Sequence, residues 1–350
     1  MTGSRLVLAR KMRGLTQTQL ARSASVSAKA ISKFEKEGTG LGEETLEKIA
    51  RILRFDLSFF YRGEVELPET GSVSFRARSK MTAKKRDQAL AISYFGLELS
   101  DWMDRNYYLP ATNVPCLEEL DAEAAAIALR SYWGVGESPI ADMISLLENY
   151  GIRVFSVSEA SREIDAYSFW DEARNKAFIF LTTSKSGERR RMDAAHELGH
   201  LVLHRKVTVD SKKVRDLEKE ANTFAAAFLM PKRSFLSSLH KGCSFNDIMK
   251  KKKYWKVSAF AMVYRAHELG ILSDWQYHSM CKMMSKQGMR INEPDGIWPE
   301  RSQIADKIFA LEKEKSGTID AISEETKIPL EIVLQLTFSP TFSSIRGGLS

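Results

Sequence analysis

His196-Glu197-Leu198-Gly199-His200 decides how this chain is read. Two His four apart on a helix project onto one face, about one turn apart, so both imidazoles can reach one tetrahedral zinc ion. The Glu beside the first His then lies where it can take a proton from a water at that ion. A catalytic zinc takes three protein ligands and keeps one position open, so a third ligand has to come from elsewhere.

Three continuations offer one. His204 extends the series, but eight residues along a helix is about 12 Å, too far from His196 for a shared ion. The metzincin continuation fails because Leu203 stands where Gly is needed. The next helical stretch, Asp216–Met230, ends at Pro231 and carries Glu218 and Asn222 four apart, on the face of Ala225, Ala226 and Leu229. Small Ala residues there permit a close approach to the His196–His200 helix. Glu218 is the expected third ligand, and Asn222 the residue that orients a ligand His by a hydrogen bond. Glu220 points about 200° round the helix from Glu218 and is the weaker candidate.

Upstream, Gly151–Val157 is β-branched and aromatic and reads as a strand. Ala166–Trp170 and Ala177–Leu181 read as two more, joined by a turn at Asp171–Asn175. Gly187 closes this small sheet, and Glu188–His204 follows as one amphipathic helix. Strand, strand and HExxH helix resembles small zinc peptidases, where a sheet edge accepts an extended substrate. Tyr167 and His240 are candidate oxyanion donors. Arg76–Tyr107, Glu118–Tyr132 and Pro139–Tyr150 read as helices, the first with a broad apolar face (Leu90, Ile92, Phe95, Leu99, Trp102) that belongs to a core.

The pattern His196-Glu197-x-x-His200-x-x-x-His204 … Glu218-x-Glu220-Ala221-Asn222-x-Phe224-Ala225 … Leu229-Met230-Pro231 resembles the ImmA/IrrE-type metallopeptidases over about residue 75 to beyond 290. The resemblance implies a gluzincin-like site with His196, His200 and Glu218 as zinc ligands, Glu197 as general base, and a helix-turn-helix repressor as substrate. It extends to chains in which an XRE-type domain precedes the peptidase.

Such a domain is legible at the start of the chain. Ser4–Arg13, Gln17–Ser23, Ser27–Glu35 and Glu44–Leu53 have helical spacing, Thr16 and Ser27 are N-cap residues, and a four-residue turn precedes the third helix. Leu15-Thr16-Gln17-x-x-Leu20-Ala21 … Val26-Ser27-x-x-x-Ile31-Ser32-x-x-Glu35 resembles the phage-repressor, XRE-type helix-turn-helix. Ser25 stands where that family usually has Gly, which predicts backbone strain. The resemblance implies that helix 27–35 enters the major groove of double-stranded DNA, with Ser27, Ala28, Lys29, Ser32 and Lys33 at the interface and Gln17 on phosphate. It also implies a homodimer on paired half-sites.

Charge agrees. The chain is +7 overall, and residues 1–62 hold 12 Lys and Arg against 6 Asp and Glu, so most of the excess lies in the first unit. A basic unit suits a polyanion partner. Apolar content of 43% and charged content of 28% are those of a globular protein. There is no apolar run of membrane-spanning length and no signal-peptide core, so no membrane role and a cytoplasmic location are expected. Cys116, Cys243 and Cys281 form no CxxC pair, which argues against a disulfide framework and against a Cys-based zinc site.

Downstream, Lys250–Gly270, with a helix capped by Ser258, and Ser273–Gln287 resemble the helix-turn-helix-like segment that follows the peptidase core. Lys250–Lys253 reads as a solvated charge cluster at a helix start. Residues 301–337 read as a last helical unit, and Ser339–Ser350 as a tail.

The expected organisation is mainly α and multidomain. An all-α helix-turn-helix domain (1–63) and a linker (64–75) precede a small α+β gluzincin-like peptidase domain with a helical lead-in (76–235). A helical segment (236–292) and a small C-terminal helical unit (293–350) follow. The expected function is a DNA-binding transcriptional regulator with zinc-dependent endopeptidase activity on a partner repressor, antitoxin or related regulator. The alternative is a repressor or antitoxin whose zincin domain is a sensor or protein-binding module without significant proteolysis.

Overall fold

The computed structural model describes residues 2–65, 73–74, 82–157, 166–205 and 214–339. All but the first residue of the Ser339–Ser350 tail, the first residues of the Arg76–Tyr107 stretch and most of the linker lie outside the described residues.

Four helices open the chain: α1 (Gly3–Met12), α2 (Gln17–Ala24), α3 (Ala28–Glu37) and α4 (Glu43–Leu53), closed by a 3-10 turn at Leu57–Tyr61. A two-residue strand β1 (Val73–Ser74) leads to the long helix α5 (Ala83–Asn106), then α6 (Ala122–Tyr132) and α7 (Met143–Asn149). Strands β2 (Arg153–Val157), β3 (Tyr167–Asp171) and β4 (Lys176–Thr182) precede α8 (Gly187–Leu203) and α9 (Val214–Leu229). Seven shorter helices complete the described chain: α10 (Lys232–Ser238), α11 (Phe245–Trp255), α12 (Ala259–Glu268), α13 (Asp274–Lys286), α14 (Gln303–Ser316), α15 (Asp320–Thr326) and α16 (Leu330–Leu336). None of the described helices is long and apolar enough to cross a membrane.

The sheet runs β1-β3-β4-β2, with β3 antiparallel to both its neighbours and β2 parallel to β4. It is a partition between two cores. Successive residues point to opposite faces, so Ala177, Ile179 and Leu181 of β4 join the core that contains α6 to α9. Phe178 and Phe180 join the other, which holds α5 and the interior of α1 to α4. Both faces are buried, which explains why these strands read as continuous apolar runs rather than alternating ones.

Helix α5 lies between that aromatic face and the N-terminal helices, so residues all round it are buried. Gly96 is where it crosses the sheet, and a Cβ there would come within 2.7 Å of the Phe180 ring. On its other side Phe95 stacks near Phe55 and Phe59, at ring separations of 5.7 and 6.0 Å. Lys11 pairs with Asp87 at 3.0 Å, and Gln88 Nε2 donates to the Met12 carbonyl at 3.2 Å. The first domain is thus docked on the rest of the chain.

The C-terminal helices have no separate core. Ile308, Ile322, Ile332 and Val333 enter the α5-side core, α14 packs on α7, and α16 packs on β2. Arg13 and Arg54 of the first domain both pair with Glu331, and Arg62 donates to the Thr326 carbonyl. Periodicity within each helix could not reveal this, because it shows an apolar face without showing what covers it.

The Lys250–Lys253 run also departs from its expected role. It sits in the last turns of α11, not at a helix start, and Lys252 is buried. Its ammonium lies 3.0 Å from Glu293 and 3.5 Å from Glu188 and donates to the Pro294 carbonyl, so it ties α11 to the start of α8.

Candidate metal centre

Helices α8 and α9 form the site, and Gly199 sets their spacing. A Cβ at Gly199 would meet the Phe224 ring at 3.0 Å and the Ala221 Cα at 3.3 Å, so a larger residue there would push α9 away. With that contact made, three groups converge. His196 Nε2 and His200 Nε2 lie 3.0 Å apart. Glu218 Oε2 is 3.5 Å from the first, and Glu218 Oε1 is 3.5 Å from the second. Both His are buried and Glu218 is half-buried.

The donor set suits a cation. Asn222 Oδ1 lies 3.0 Å from His196 Nδ1, which therefore carries the proton, and a neutral His196 has its Nε2 lone pair free. Burial pushes His200 down to about 4, against the nearby Glu218 carboxylate, so this imidazole is neutral near pH 7. Two lone pairs facing each other at 3.0 Å, beside a carboxylate, repel unless a positive charge sits between them. Tetrahedral zinc with bonds of about 2.0–2.1 Å sets neighbouring ligand atoms about 3.3 Å apart, a span that the separations here bracket. Burial raises Glu218, but the neighbouring His196 and His200 rings outweigh it and bring the carboxyl down to about 2, so it stays ionised beside them. These residues fit zinc.

Glu197 points to the sheet beside them. It is fully buried, and burial pushes its carboxyl up to about 7, against the nearby His196 and a hydrogen bond from Ser168. Ser168 Oγ lies 2.7 Å from Glu197 Oε2 and 3.2 Å from the Glu197 carbonyl. A carboxyl that titrates near neutral pH is matched to taking and returning a proton.

Ser168 escaped the sequence reading, although β3 alternation would place it on the face of Trp170, toward α8. The same alternation removes Tyr167 as an oxyanion donor. Its ring is buried on the α5 side, with its hydroxyl donating to the Ala89 carbonyl at 3.1 Å and 3.1 Å from Ser93 Oγ. His240 is exposed between α10 and α11, facing the Lys241 carbonyl. Glu220 does not reach the converging groups and sits against His204 at 2.9 Å.

The N-terminal domain has the expected helix-turn-helix geometry. Thr16 and Gln19 form a capping box at α2, and Ser27 Oγ accepts from the Ala30 N–H at the start of α3. Ser25 adopts φ 60°, the left-handed conformation its position predicted. The Lys48 ammonium donates to its hydroxyl at 3.1 Å. Ser27, Ala28, Lys29 and Lys33 are exposed and Ser32 is half-buried. Gln17 is held inward, its amide donating to Glu35 at 2.6 Å, and Glu35 in turn pairs with Arg10. The same turn recurs twice: Lys256-Val257-Ser258 joins α11 to α12, and Lys327-Ile328-Pro329 joins α15 to α16, with Lys256 and Lys327 left-handed. Helix α16 is buried against β2 and holds the fold together rather than facing outward.

Comparison with known families follows this division. Residues 6–60 match the helix-turn-helix family model, and residues 147–267, which contain every converging group of the site, match the IrrE N-terminal-like domain of peptidase family M78. Two curated relatives, from Sinorhizobium medicae (strain WSM419) and Rhizobium meliloti (strain 1021), are each described as an uncharacterized HTH-type transcriptional regulator. Each is 37% identical over 59 residues, 17% of this chain and 42% of the relative. The chain thus spans under half the length of these relatives. It is a mainly α, multidomain helix-turn-helix protein with a peptidase-family domain. Its first domain is of XRE type, and its second is IrrE-like, of family M78.

Proposed function

We propose that the chain is a cytoplasmic DNA-binding transcriptional regulator and a zinc-dependent endopeptidase, which hydrolyses a peptide bond in a partner repressor, antitoxin or related regulator. The observation that carries this reading is the juxtaposition of His196, His200 and Glu218 with a buried Glu197. A purely structural zinc site has no use for a buried base beside its ligands.

When bound, zinc supplies Lewis acidity and lowers the pKa of water to about 7. Glu197 accepts the proton of the attacking water and later delivers it to the leaving amine. Ser168 holds the Glu197 carboxylate in place, and Asn222 holds His196. The outer edge of β3 pairs with Val73–Ser74, so a substrate segment adding to that edge takes the place of this two-residue strand. In the first domain, α3 and its N-cap residue present Ser27, Ala28, Lys29, Ser32 and Lys33 to the major groove of double-stranded DNA. Gln17 stiffens α3 through Glu35. A homodimer on paired half-sites suits a domain of this type.

The test supplies zinc-loaded protein with regulators encoded beside its gene and compares it with Glu197→Gln. Cleavage by the wild type alone supports the reading. Cleavage that persists in Glu197→Gln overturns the assigned base, and tight operator binding with no cleavage of any candidate favours a repressor with a sensing zincin domain.

A further inference from the structure

His200 is held from behind by a second histidine, and that histidine is held by a carboxylate. His200 Nδ1 lies 3.0 Å from His204 Nδ1, and His204 Nε2 lies 2.9 Å from Glu220 Oε2. The backbone makes this possible. Helix α8 ends at Leu203, and His204 leaves it with φ −128° and ψ 20°, while its N–H still donates to the His200 carbonyl. The His204 ring comes to lie 5.1 Å from the His200 ring, its side chain only 6% exposed, while Glu220 reaches it from α9.

The protons along this chain follow from donor and acceptor counting. An ionised carboxylate only accepts, so His204 Nε2 carries a hydrogen. A neutral His204 then has its lone pair on Nδ1, where it accepts from the Nδ1–H of His200. His200 is left with a bare Nε2, the atom that faces His196 Nε2 at 3.0 Å. His196 is oriented by the neutral amide of Asn222, whereas His200 is oriented by a relay that ends in a charge.

We propose that His204 and Glu220 are positioning residues for the metal: the pair fixes the tautomer of His200 and holds its ring. This rests on His196, His200 and Glu218 being the zinc ligands. Glu220 therefore contributes to the site without touching the ion, and it does so only through His204.

Zinc affinity, measured by competition with a chelator, tests the pair in wild type, His204→Ala, His204→Gln, Glu220→Gln and the His204→Ala/Glu220→Gln double variant. Absorption of the cobalt-loaded proteins reports the ligand field beside it. His204→Ala is expected to weaken zinc binding roughly 10- to 100-fold. Glu220→Gln weakens it less, and the double variant matches His204→Ala, because the carboxylate acts through the ring it has lost. His204→Gln, whose amide oxygen can accept from His200, recovers part of the affinity and of the cobalt spectrum. A general packing role would lower the unfolding midpoint of the zinc-free protein without separating Gln from Ala. Zinc affinity of His204→Ala within twofold of wild type, or a Glu220→Gln loss that adds in full to that of His204→Ala, overturns the relay. Wild type that takes up no zinc fails earlier, at the ligand assignment, and the relay falls with it.

Discussion

Ser168 Oγ lies 2.7 Å from Glu197 Oε2, so the sheet, rather than the metal-binding helices, holds the carboxyl assigned as the base. The hydroxyl donates to the charged form and opposes the burial that raises this group to about 7. Ser168→Ala is therefore expected to raise the Glu197 titration further, by about one unit if the bond contributes about 1–1.5 kcal/mol. Carbon-13 NMR of Glu-labelled, zinc-free protein reads this directly. In turnover, the acid limb of the pH profile should move upward while zinc stoichiometry stays the same. An unmoved titration would show that Ser168 does not govern Glu197.

Glu148 predicts a pH dependence of stability. Burial pushes it up to about 7, even though it accepts from the Ser302 hydroxyl and from the Gln303 and Ile304 N–H groups at the start of α14. Its folded pKa lies above the ordinary 4.5, so the folded chain keeps a proton that the unfolded chain releases. The stability this confers is fully present below pH 4.5 and is lost as pH rises to about 7, to the extent of about 3 kcal/mol. Glu148→Gln, neutral throughout, should flatten that part of the slope. Glu197 has the same sign, so the readout is the difference between wild-type and Glu148→Gln urea midpoints from pH 4.5 to 8, without zinc. Parallel slopes would refute it.

What the sequence made legible was what spacing encodes. His196 and His200 share a face because they are four apart, and Glu218 and Asn222 share one for the same reason. Ser25 took the predicted left-handed conformation because the turn, not the residue, dictates φ there. The rest depended on contacts between distant segments. Nothing within residues 83–106 says that one face of α5 packs on Phe180 and the other on Phe55 and Phe59. Lys252 reads as one of four Lys in a row until Glu188 and Glu293 are brought to it. Axial distance keeps His204 from an ion shared with His196, yet its ring reaches His200 at 3.0 Å.

Arg10 and Glu35 make a buried, two-pronged pair between α1 and α3. Arg10 Nε lies 2.5 Å from Glu35 Oε1 and Nη2 lies 3.0 Å from Oε2, and Gln17 donates to the same carboxylate. Glu35→Ala strands a buried guanidinium and should destabilise the first domain by about 3–5 kcal/mol. Hydrogen exchange at the amides of Leu20 and Ile31, both buried in that domain, is the measure. Arg10→Met with Glu35→Leu removes both charges and should recover most of the loss. Protection in Glu35→Ala equal to wild type would mean that the pair contributes little.

Lys29 and Lys33 are exposed on α3, and the Lys33 ammonium lies 4.0 Å from Glu37. If α3 enters the major groove, the two ammonium groups meet phosphates or guanine edges, and the salt dependence tells which. On phosphates, Lys29→Ala with Lys33→Ala weakens binding to all duplexes alike and lowers the slope of log K against log salt by about 2. On bases, the slope changes little and discrimination between sequences falls by about 1–3 kcal/mol for each lost contact. Lys241→Ala, an exposed change between α10 and α11, is the control and should leave both quantities unchanged. Titration of a duplex selected from random sequence, at several salt concentrations, separates the outcomes. If the double variant binds that duplex with wild-type affinity, slope and selectivity, α3 is not the DNA-reading helix.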